Sequence, residues 1–155
     1  MALVKGDKIP ELLGIDQDGN EVHASEYAGK KLVLYFYPKD NTPGCTAQAC
    51  SLKDGNTELL KAGYQILGVS VDSKTSHQKF IKKHNLPFRL IADTDKKLVE
   101  EFGVWQEKSM MGKKYMGTIR TTFLVDEKGE IIHIISGRAV NTKDHADQIL
   151  ELELS

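Results

Sequence analysis

The longest apolar runs of the sequence show no alternation between hydrophobic and polar positions. Residues 31–38 (KLVLYFYP) and 65–72 (QILGVSVD) are of this kind, and residues 88–93 (FRLIAD) are a shorter example. A strand that is buried on both faces has this pattern, because neither of its faces meets water. These three runs therefore predict a partly parallel sheet with helices on both sides.

Two pairs of shorter segments predict antiparallel hairpins. Residues 12–15 and 21–23 surround an Asp-Gly turn, and residues 121–126 (TTFLVD) and 130–137 (EIIHIISG) surround a Glu-Lys-Gly turn. Residues 104–117 contain Gly, Met and Lys without a clear period. We interpret this last segment as a loop or an irregular strand.

Four further segments have the properties of helices. Residues 45–62 predict a helix with Gly63 as its stop, and residues 74–85 predict a second helix that Pro87 closes. The third is a short helix that Thr94 or Asp95 caps and that carries Leu98 and Phe102 on one face. The fourth is an amphipathic tail from about residue 143, with apolar positions Ala146, Ile149, Leu150 and Leu154.

This order of elements predicts an α/β fold with a mixed central sheet flanked by helices. It fits a thioredoxin-like fold with an N-terminal β-hairpin, although the pattern alone also allows a flavodoxin-like arrangement. The length of 155 residues predicts a single domain, residues 1–155. No G-x-G-x-x-G follows a strand, and no phosphate loop is complete, so no cofactor is expected.

The charge balance excludes several classes of partner. With 21 Lys and Arg against 22 Asp and Glu, the formal net charge is −1. A nucleic-acid binder or a protein of anionic membrane surfaces needs a basic footprint that this chain lacks. No apolar run reaches the ~20 residues of a membrane span, and the N-terminus has no signal for export, so we expect a cytoplasmic protein.

Cys45 and Cys50 are the two cysteines of the chain. The reducing cytosol disfavours a structural disulfide between them, and the five histidines have no zinc-ligand spacing relative to them. Cys45 follows a buried strand and a turn-rich loop, at the start of a predicted helix. A helix N-terminus favours a thiolate there, through its unpaired N–H groups and its dipole. The alternative is that Cys45 is a small buried hydrophobe.

The spacing of the two cysteines determines whether they can form a disulfide. Residues five apart in a helix have Cα atoms roughly 8–9 Å apart, whereas a disulfide needs at most about 7 Å. Cys45 and Cys50 therefore cannot bond unless the first turns of the helix unwind, which predicts a reversible disulfide coupled to a change of conformation. The alternative is that Cys50 is a buried filler residue.

Residues 36–50 (FYPKDNTPGCTAQAC) resemble the peroxiredoxins, in particular the peroxiredoxin Q (bacterioferritin co-migratory protein) group. Residues 102–108 (FGVWQEK) and 117–126 (GTIRTTFLVD) also match that group, and the similarity covers nearly the whole chain. The resemblance implies a thioredoxin fold. It also implies a thiol peroxidase that reduces hydrogen peroxide and organic hydroperoxides, is recycled by thioredoxin or a similar dithiol protein, and is a monomer.

The same resemblance assigns roles to individual residues. Cys45 matches the peroxidatic cysteine and Cys50 the resolving cysteine of the same helix. The implied substrate-binding residues are Pro38, which shields the thiolate, Thr42, which hydrogen-bonds the peroxide, Gly44, and Arg120, which contacts both the thiolate and the substrate oxygen. Gln48 stands where many family members carry Glu, and an amide can hold the arginine without adding charge.

Two other functions are compatible with the cysteines alone. A redox-switched interaction protein could use the same disulfide to unwind a helix and expose a binding surface. A general protein disulfide oxidoreductase is disfavoured, because its C-x-x-C spacing is absent. The presence of Thr42, Pro38 and Arg120 favours catalysis, since a switch needs only the two thiols.

Overall fold

The computed structural model describes residues 2–152 and contains nine strands and five α-helices in that range. Two short 3-10 helices lie at Ala24–Tyr27 and Gly137–Ala139. In chain order the elements are β1 (Leu12–Ile15), β2 (Glu21–His23), β3 (Lys31–Phe36), α1 (Pro43–Asp54), α2 (Asn56–Lys61), β4 (Tyr64–Ser70), α3 (Lys74–His84), β5 (Arg89–Ala92), α4 (Lys97–Glu101), β6 (Trp105–Met110), β7 (Lys113–Thr118), β8 (Thr121–Val125), β9 (Ile131–Ser136) and α5 (His145–Leu150).

A five-stranded mixed sheet forms the centre of the molecule, in the order β5-β4-β3-β8-β9. Strand β3 pairs parallel to β4, and β4 pairs parallel to β5. On its other side β3 pairs antiparallel to β8, which pairs antiparallel to β9. The mixed sheet and both hairpins predicted from the sequence are confirmed, with β1 and β2 forming the N-terminal one.

Strand β3 is buried on both faces, which explains its unbroken apolar run. Val33, Tyr35 and Tyr37 point into one hydrophobic cluster, which also contains Cys45 and residues of α1, α3 and α5. Leu32, Leu34 and Phe36 point into a second cluster on the opposite face, formed with the β1–β2 hairpin and α4. The strand that leads to Cys45 is therefore fixed from both sides.

The helix predicted at 45–62 is two helices, so its predicted bounds are wrong. It begins at Pro43, because Thr42 is extended (φ −89°, ψ 153°) and proline suits the first helical position. It breaks at Gly55, where a Cβ atom would lie 2.3 Å from Cβ of Ala146. Glycine at this position lets α5 approach α1 closely. Gly63 follows α2 with φ +91°, as expected of a helix stop.

The segment 104–117, which has no period in the sequence, is the β6–β7 hairpin. Its turn is made by Met111 (φ +52°) and Gly112 (φ +79°), and most of its residues are exposed. A hairpin with no buried face has no hydrophobic alternation, which is why the sequence pattern does not reveal it.

Two side chains cap α4. Asp95, one of the two predicted caps, accepts a hydrogen bond from the backbone N–H of Lys97 at 3.3 Å. Asp93, which the pattern did not predict, accepts from the backbone N–H groups of Leu98 and Val99 at 3.1 and 2.8 Å. Helix α5 contains Ala146, Ile149 and Leu150 of the predicted tail, whereas Leu154 lies outside the described residues. Within residues 2–152, no helix is both long enough and apolar enough to span a membrane.

Candidate active site

Cys45 lies in the first turn of α1, directly beyond the loop that follows β3. Its side chain is 1% exposed and belongs to the hydrophobic cluster on one face of the sheet. Because Pro43 supplies no N–H and Thr42 is extended, the helix begins abruptly, and Cys45 lies among its unpaired N–H groups. The predicted position of Cys45 at the start of a helix is confirmed.

Arg120 joins Cys45 to Gln48. Its Nη2 donates to Sγ of Cys45 at 3.4 Å, and its Nη1 donates to Oε1 of Gln48 at 2.7 Å. A Cβ atom on Gly44 would lie 3.1 Å from Nη2, so the absence of a side chain there gives the guanidinium room beside the helix. Arg120 follows β7 and precedes β8, and the rigid sheet thereby holds its charge against the sulfur.

The positive charge of Arg120 has no carboxylate opposite it. Among residues 2–152 the guanidinium forms no ion pair with Asp or Glu, and Gln48 is a neutral acceptor. A thiolate at Cys45 would therefore be its counter-ion. Such a fixed cation stabilises negative charge on the sulfur and on any oxygen bound next to it.

Two further hydrogen-bond donors are buried at this face of the sheet. The Tyr35 hydroxyl and Nε2 of Gln48 are buried and find no acceptor among the described residues. Burial raises the pKa of Tyr35 well above 10, and nearby Cys45 raises it further, so its phenol stays protonated. Both groups are consequently able to donate to an anionic oxygen in this region.

Thr42 and Pro38 lie in the loop before Cys45, and no hydrogen bond joins either of them to its sulfur among the described residues. The Thr42 hydroxyl donates to the carbonyl oxygen of Lys39 at 2.8 Å, which leaves its lone pairs able to accept. Pro38 begins the loop and is half-buried. Between them, Asn41 has φ +62°, a left-handed conformation that Asn tolerates better than most residues.

Cys50 lies in the same helix as Cys45, and both cysteines are free. It is half-buried, and its Sγ lies 3.9 Å from Nδ1 of His84 on α3. Both cysteines are thus helical, the condition under which their spacing is too long for a disulfide.

Asp40 anchors the loop through a buried network that the sequence did not reveal. Its carboxylate accepts from the Tyr37 hydroxyl at 2.6 Å and from the Ser76 hydroxyl at 2.8 Å, and it lies 2.7 Å from Nδ1 of His77. Its backbone N–H donates to the carboxylate of Asp72 at 2.8 Å. The loop before Thr42 is therefore fixed to α3 and to the end of β4.

Both ring nitrogens of His77 have polar partners in this network. Nε2 lies 2.8 Å from the carbonyl oxygen of Ile91, which can only accept, and Nδ1 faces the Asp40 carboxylate, which already accepts two other bonds. Burial alone would raise the pKa of Asp40, but the bonds from His77, Tyr37 and Ser76 outweigh it and hold that pKa below its ordinary value.

Asp40, Asp72 and His77 are also the group of side chains whose ligand atoms could surround a metal ion, since these atoms lie within 4.8 Å of one another. However, both nitrogens of His77 and both oxygens of Asp40 are already engaged in hydrogen bonds. A metal ion would have to break these hydrogen bonds.

Replacing Asp40 should make the stability of the protein less dependent on acid pH. The parent carboxylate, with its lowered pKa, adds stability above about pH 4 that is lost as the pH falls through the folded-state value. We expect Asp40→Asn to lower the free energy of unfolding by about 2 kcal/mol at pH 7 and by less near pH 3. Urea denaturation at both pH values measures this, with the exposed Asp18→Asn as control. An equal loss at both pH values would contradict it.

Known proteins match the chain over nearly all its length. The sequence profile of the AhpC/TSA family matches residues 5–134. Peroxiredoxin Bcp of Bacillus subtilis (strain 168) is 46% identical over 151 residues, which cover 97% of this chain and 95% of that protein. Among solved structures, a cysteine-to-serine mutant of Xylella fastidiosa PrxQ has a TM-score of 0.86 at 32% identity, with 98% of this chain and 96% of that chain covered.

A second solved structure is also similar to this chain. The bacterioferritin comigratory protein of Xanthomonas campestris has a TM-score of 0.82 at 37% identity, covering 94% of this chain and 96% of that one. Together with the site, these matches define the class of the molecule as a thiol peroxidase with a thioredoxin-like fold.

The chain belongs to the AhpC/TSA family, and within it to the Bcp or peroxiredoxin Q group. The resemblance noted from residues 36–50 is thereby confirmed, as is the expectation of an enzyme that acts on peroxides with the help of a thiol reductant.

Proposed function

We propose that the protein reduces hydroperoxides with Cys45 as the nucleophile and Cys50 as the resolving thiol, through an intramolecular disulfide. The observation that carries the proposal is the contact of 3.4 Å between Nη2 of Arg120 and Sγ of buried Cys45. A guanidinium held against a sulfur at a helix start supports a thiolate that attacks, rather than a thiol that only fills space.

In the first step, the Cys45 thiolate attacks one oxygen of the peroxide. An S–O bond forms and the O–O bond breaks, leaving negative charge on the departing oxygen, which takes up a proton. The guanidinium of Arg120 stabilises that charge, and the N–H groups of the first turn of α1 support it. Thr42 accepts a hydrogen bond from the peroxide hydroxyl and orients it, since its own proton is held by the carbonyl oxygen of Lys39.

In the second step, the Cys50 sulfur attacks the sulfenic acid of Cys45. An S–S bond forms, the S–O bond breaks, and water leaves, so that further oxidation of Cys45 is prevented. Helix α1 must unwind for this bond to form. An external dithiol then reduces the disulfide by exchange, and α1 refolds.

The partners we propose are a peroxide and thioredoxin or a similar dithiol protein, for a monomeric enzyme of the cytoplasm. The Xanthomonas campestris relative has been studied for alkyl peroxide reduction, which supports organic hydroperoxides as substrates beside hydrogen peroxide. The monomer is supported by the short edges of the central sheet, since β5 has four residues and β9 has six, two of which are buried.

A coupled assay tests the proposed function. Consumption of NADPH should depend on the protein, a peroxide, thioredoxin and thioredoxin reductase together. The same assay separates the enzyme from a redox-switched interaction protein, because a switch is oxidised once and does not turn over. Oxidation by one equivalent of peroxide without turnover, with thioredoxin or a small dithiol, would overturn the proposal.

Oxidation should expose the amides at the start of α1. The reduced helix buries Ala49 and Leu52 completely, and the disulfide cannot form without opening the turns between the cysteines. We expect amide exchange over residues 45–55 to become at least about tenfold faster in the oxidised protein. Mass spectrometry of peroxide-treated protein measures both the exchange and the bond.

Cys50→Ser is the control for this prediction. It should retain the first attack on peroxide, accumulate Cys45 as sulfenic and then sulfinic acid, and keep the slow exchange of the reduced form. Equal protection of α1 in the oxidised and reduced parent would disprove the unwinding, and a tryptic map without the bond from Cys45 to Cys50 would disprove the resolving role.

A further inference from the structure

His84 faces the sulfur of Cys50 from a different helix. Its Nδ1 lies 3.9 Å from Sγ, within the range of a hydrogen bond to sulfur. The imidazole is in the last turn of α3, and its ring meets that of Phe80 edge to face, with centroids 5.2 Å apart. Both Cys50 and His84 are half-buried, so the contact is sheltered while protons can still exchange with water.

We propose that His84 is a catalytic residue that takes the thiol proton of Cys50 in the resolving step. The proposal rests on the disulfide cycle proposed above, and it deepens it by naming the base. A thiolate is the nucleophile in disulfide formation, and a thiol must lose its proton to become one. Histidine is the side chain best suited to exchange a proton near neutral pH.

The step balances with the residues at hand. The Cys50 S–H bond breaks and its proton passes to neutral His84, which becomes an imidazolium. The Cys50 sulfur then supplies the electron pair of the new S–S bond, and the S–O bond of the Cys45 sulfenic acid breaks with its pair on the departing oxygen. That hydroxide gains a proton from the imidazolium through solvent and leaves as water, and His84 returns to its neutral form.

The packing of α3 decides when this transfer takes place. The helix ends at Asn85 in a left-handed conformation (φ +52°), whose N–H donates to the carbonyl oxygen of Ile81. The C-terminal end of α3 is therefore fixed, whereas Cys50 must move away from His84 when α1 unwinds. His84 accordingly acts on Cys50 while α1 is still helical, and the thiolate is formed before the cysteines meet.

The charged and titratable groups near the contact are two cations and a neutral phenol. Lys82 and Lys83 precede His84 in the last turn of α3, and both are exposed cations. From the sheet side, Tyr35 lies close enough to Cys50 for charge on the sulfur to raise the pKa of its phenol, and burial keeps that phenol neutral. No carboxylate forms an ion pair with His84 among residues 2–152.

The first test follows the decay of the sulfenic acid after one equivalent of hydrogen peroxide, by rapid quenching with dimedone and mass spectrometry. His84→Gln keeps size and polarity but cannot take a proton. We expect it to slow disulfide formation at pH 7 by about 10²-fold, in the range of general-base effects, while Cys45 oxidation stays within about twofold of the parent. The difference in the rate of disulfide formation between His84→Gln and the parent should shrink towards pH 9, where hydroxide replaces the missing base.

The control is His133→Gln, the same exchange at a half-buried histidine on β9. It should match the parent at every pH. A His84→Gln variant that forms the disulfide as fast as the parent at pH 7 would overturn the proposal. A deficit of equal size at all pH values would overturn it too, because lost packing does not depend on hydroxide.

The second test needs no peroxide and so does not depend on the proposed cycle. In the Cys45→Ser background, Cys50 is the remaining cysteine, and iodoacetamide reports its thiolate. Adding His84→Gln should slow alkylation at pH 7 by at least about threefold, and His133→Gln should not. Equal alkylation rates would refute the role of His84, whereas failure of the peroxide reaction alone would refute only the disulfide cycle.

Discussion

Cys45→Ser is expected to abolish peroxidase turnover entirely. Cys45 is the sulfur that Arg120 contacts at the start of α1, and a serine hydroxyl is far too weakly acidic to replace a thiolate there. Cys50, the remaining cysteine, lies two positions before Leu52 in α1. Its sulfur contacts His84 and not the guanidinium of Arg120. The coupled assay with thioredoxin, its reductase and hydrogen peroxide measures the loss against the parent.

Cys50→Ser is the matched control, since it removes the other thiol of the same helix by the same exchange. It should still consume one equivalent of peroxide rapidly and yield a sulfenic acid that mass spectrometry detects. Appreciable turnover by Cys45→Ser with a dithiol reductant would show that Cys50 or another group is the nucleophile.

Arg120→Ala should slow the attack on peroxide by about 10²–10³-fold, which corresponds to about 3–4 kcal/mol. The guanidinium donates to both Cys45 and Gln48, and in the proposed mechanism it stabilises the charge on the leaving oxygen. Arg120→Lys keeps the positive charge but lacks the planar guanidinium that donates to both Cys45 and Gln48. It should therefore recover only part of the rate. Stopped-flow measurement of Cys45 oxidation gives each rate constant.

Arg138→Ala is the control for lost positive charge, because Arg138 is exposed in the short 3-10 helix after β9 and its side chain forms no hydrogen bond to Cys45 or Gln48 among the described residues. Its rate constant should equal that of the parent. An Arg120→Ala rate within a factor of about three of the parent would remove Arg120 from the site. The variant's thermal unfolding should be recorded as well, to separate a slow enzyme from an unfolded one.

The sheet was predictable because its strands are buried on two faces. In β3, the neighbouring residues Leu34 and Tyr35 point into different hydrophobic clusters. Because both are hydrophobic, the unbroken apolar run in the sequence indicates a strand that is buried on both faces. A helix start close to Cys45 was predictable for a similarly local reason, since a proline at position 43 both ends the extended chain and suits the first position of a helix.

The contacts that complete the site were not predictable from local pattern. His77 meets Asp40 across 37 positions of sequence, and Arg120 meets Cys45 across 75. Arg120 became a candidate through the resemblance of its segment, whereas nothing in the order of residues relates His77 to the loop. The one available sign was His77 three positions before Phe80, on the apolar face of α3.

The helix ends were predictable only where a residue acts locally. Gly63 stops α2 through its own backbone, but the break at Gly55 depends on the distant Ala146. Likewise, Asp93 caps α4 from the end of a strand, five and six positions ahead of the N–H groups it binds. Tertiary packing decided the break at Gly55, and a side chain outside the helix caps α4.

The break at Gly55 limits how far a disturbance in α1 can spread. Helix melting is cooperative along an uninterrupted run of hydrogen-bonded turns, so an unbroken helix from 43 to 61 would fray as one unit. Here Gly55 has φ −89° and ψ 5°, and beyond it Leu59 is completely buried. Helix α1 is therefore a cooperative unit of twelve residues, and α2 and β4 can stay folded beside it. In the proposed cycle, α1 would therefore open and close without unfolding the rest of the domain.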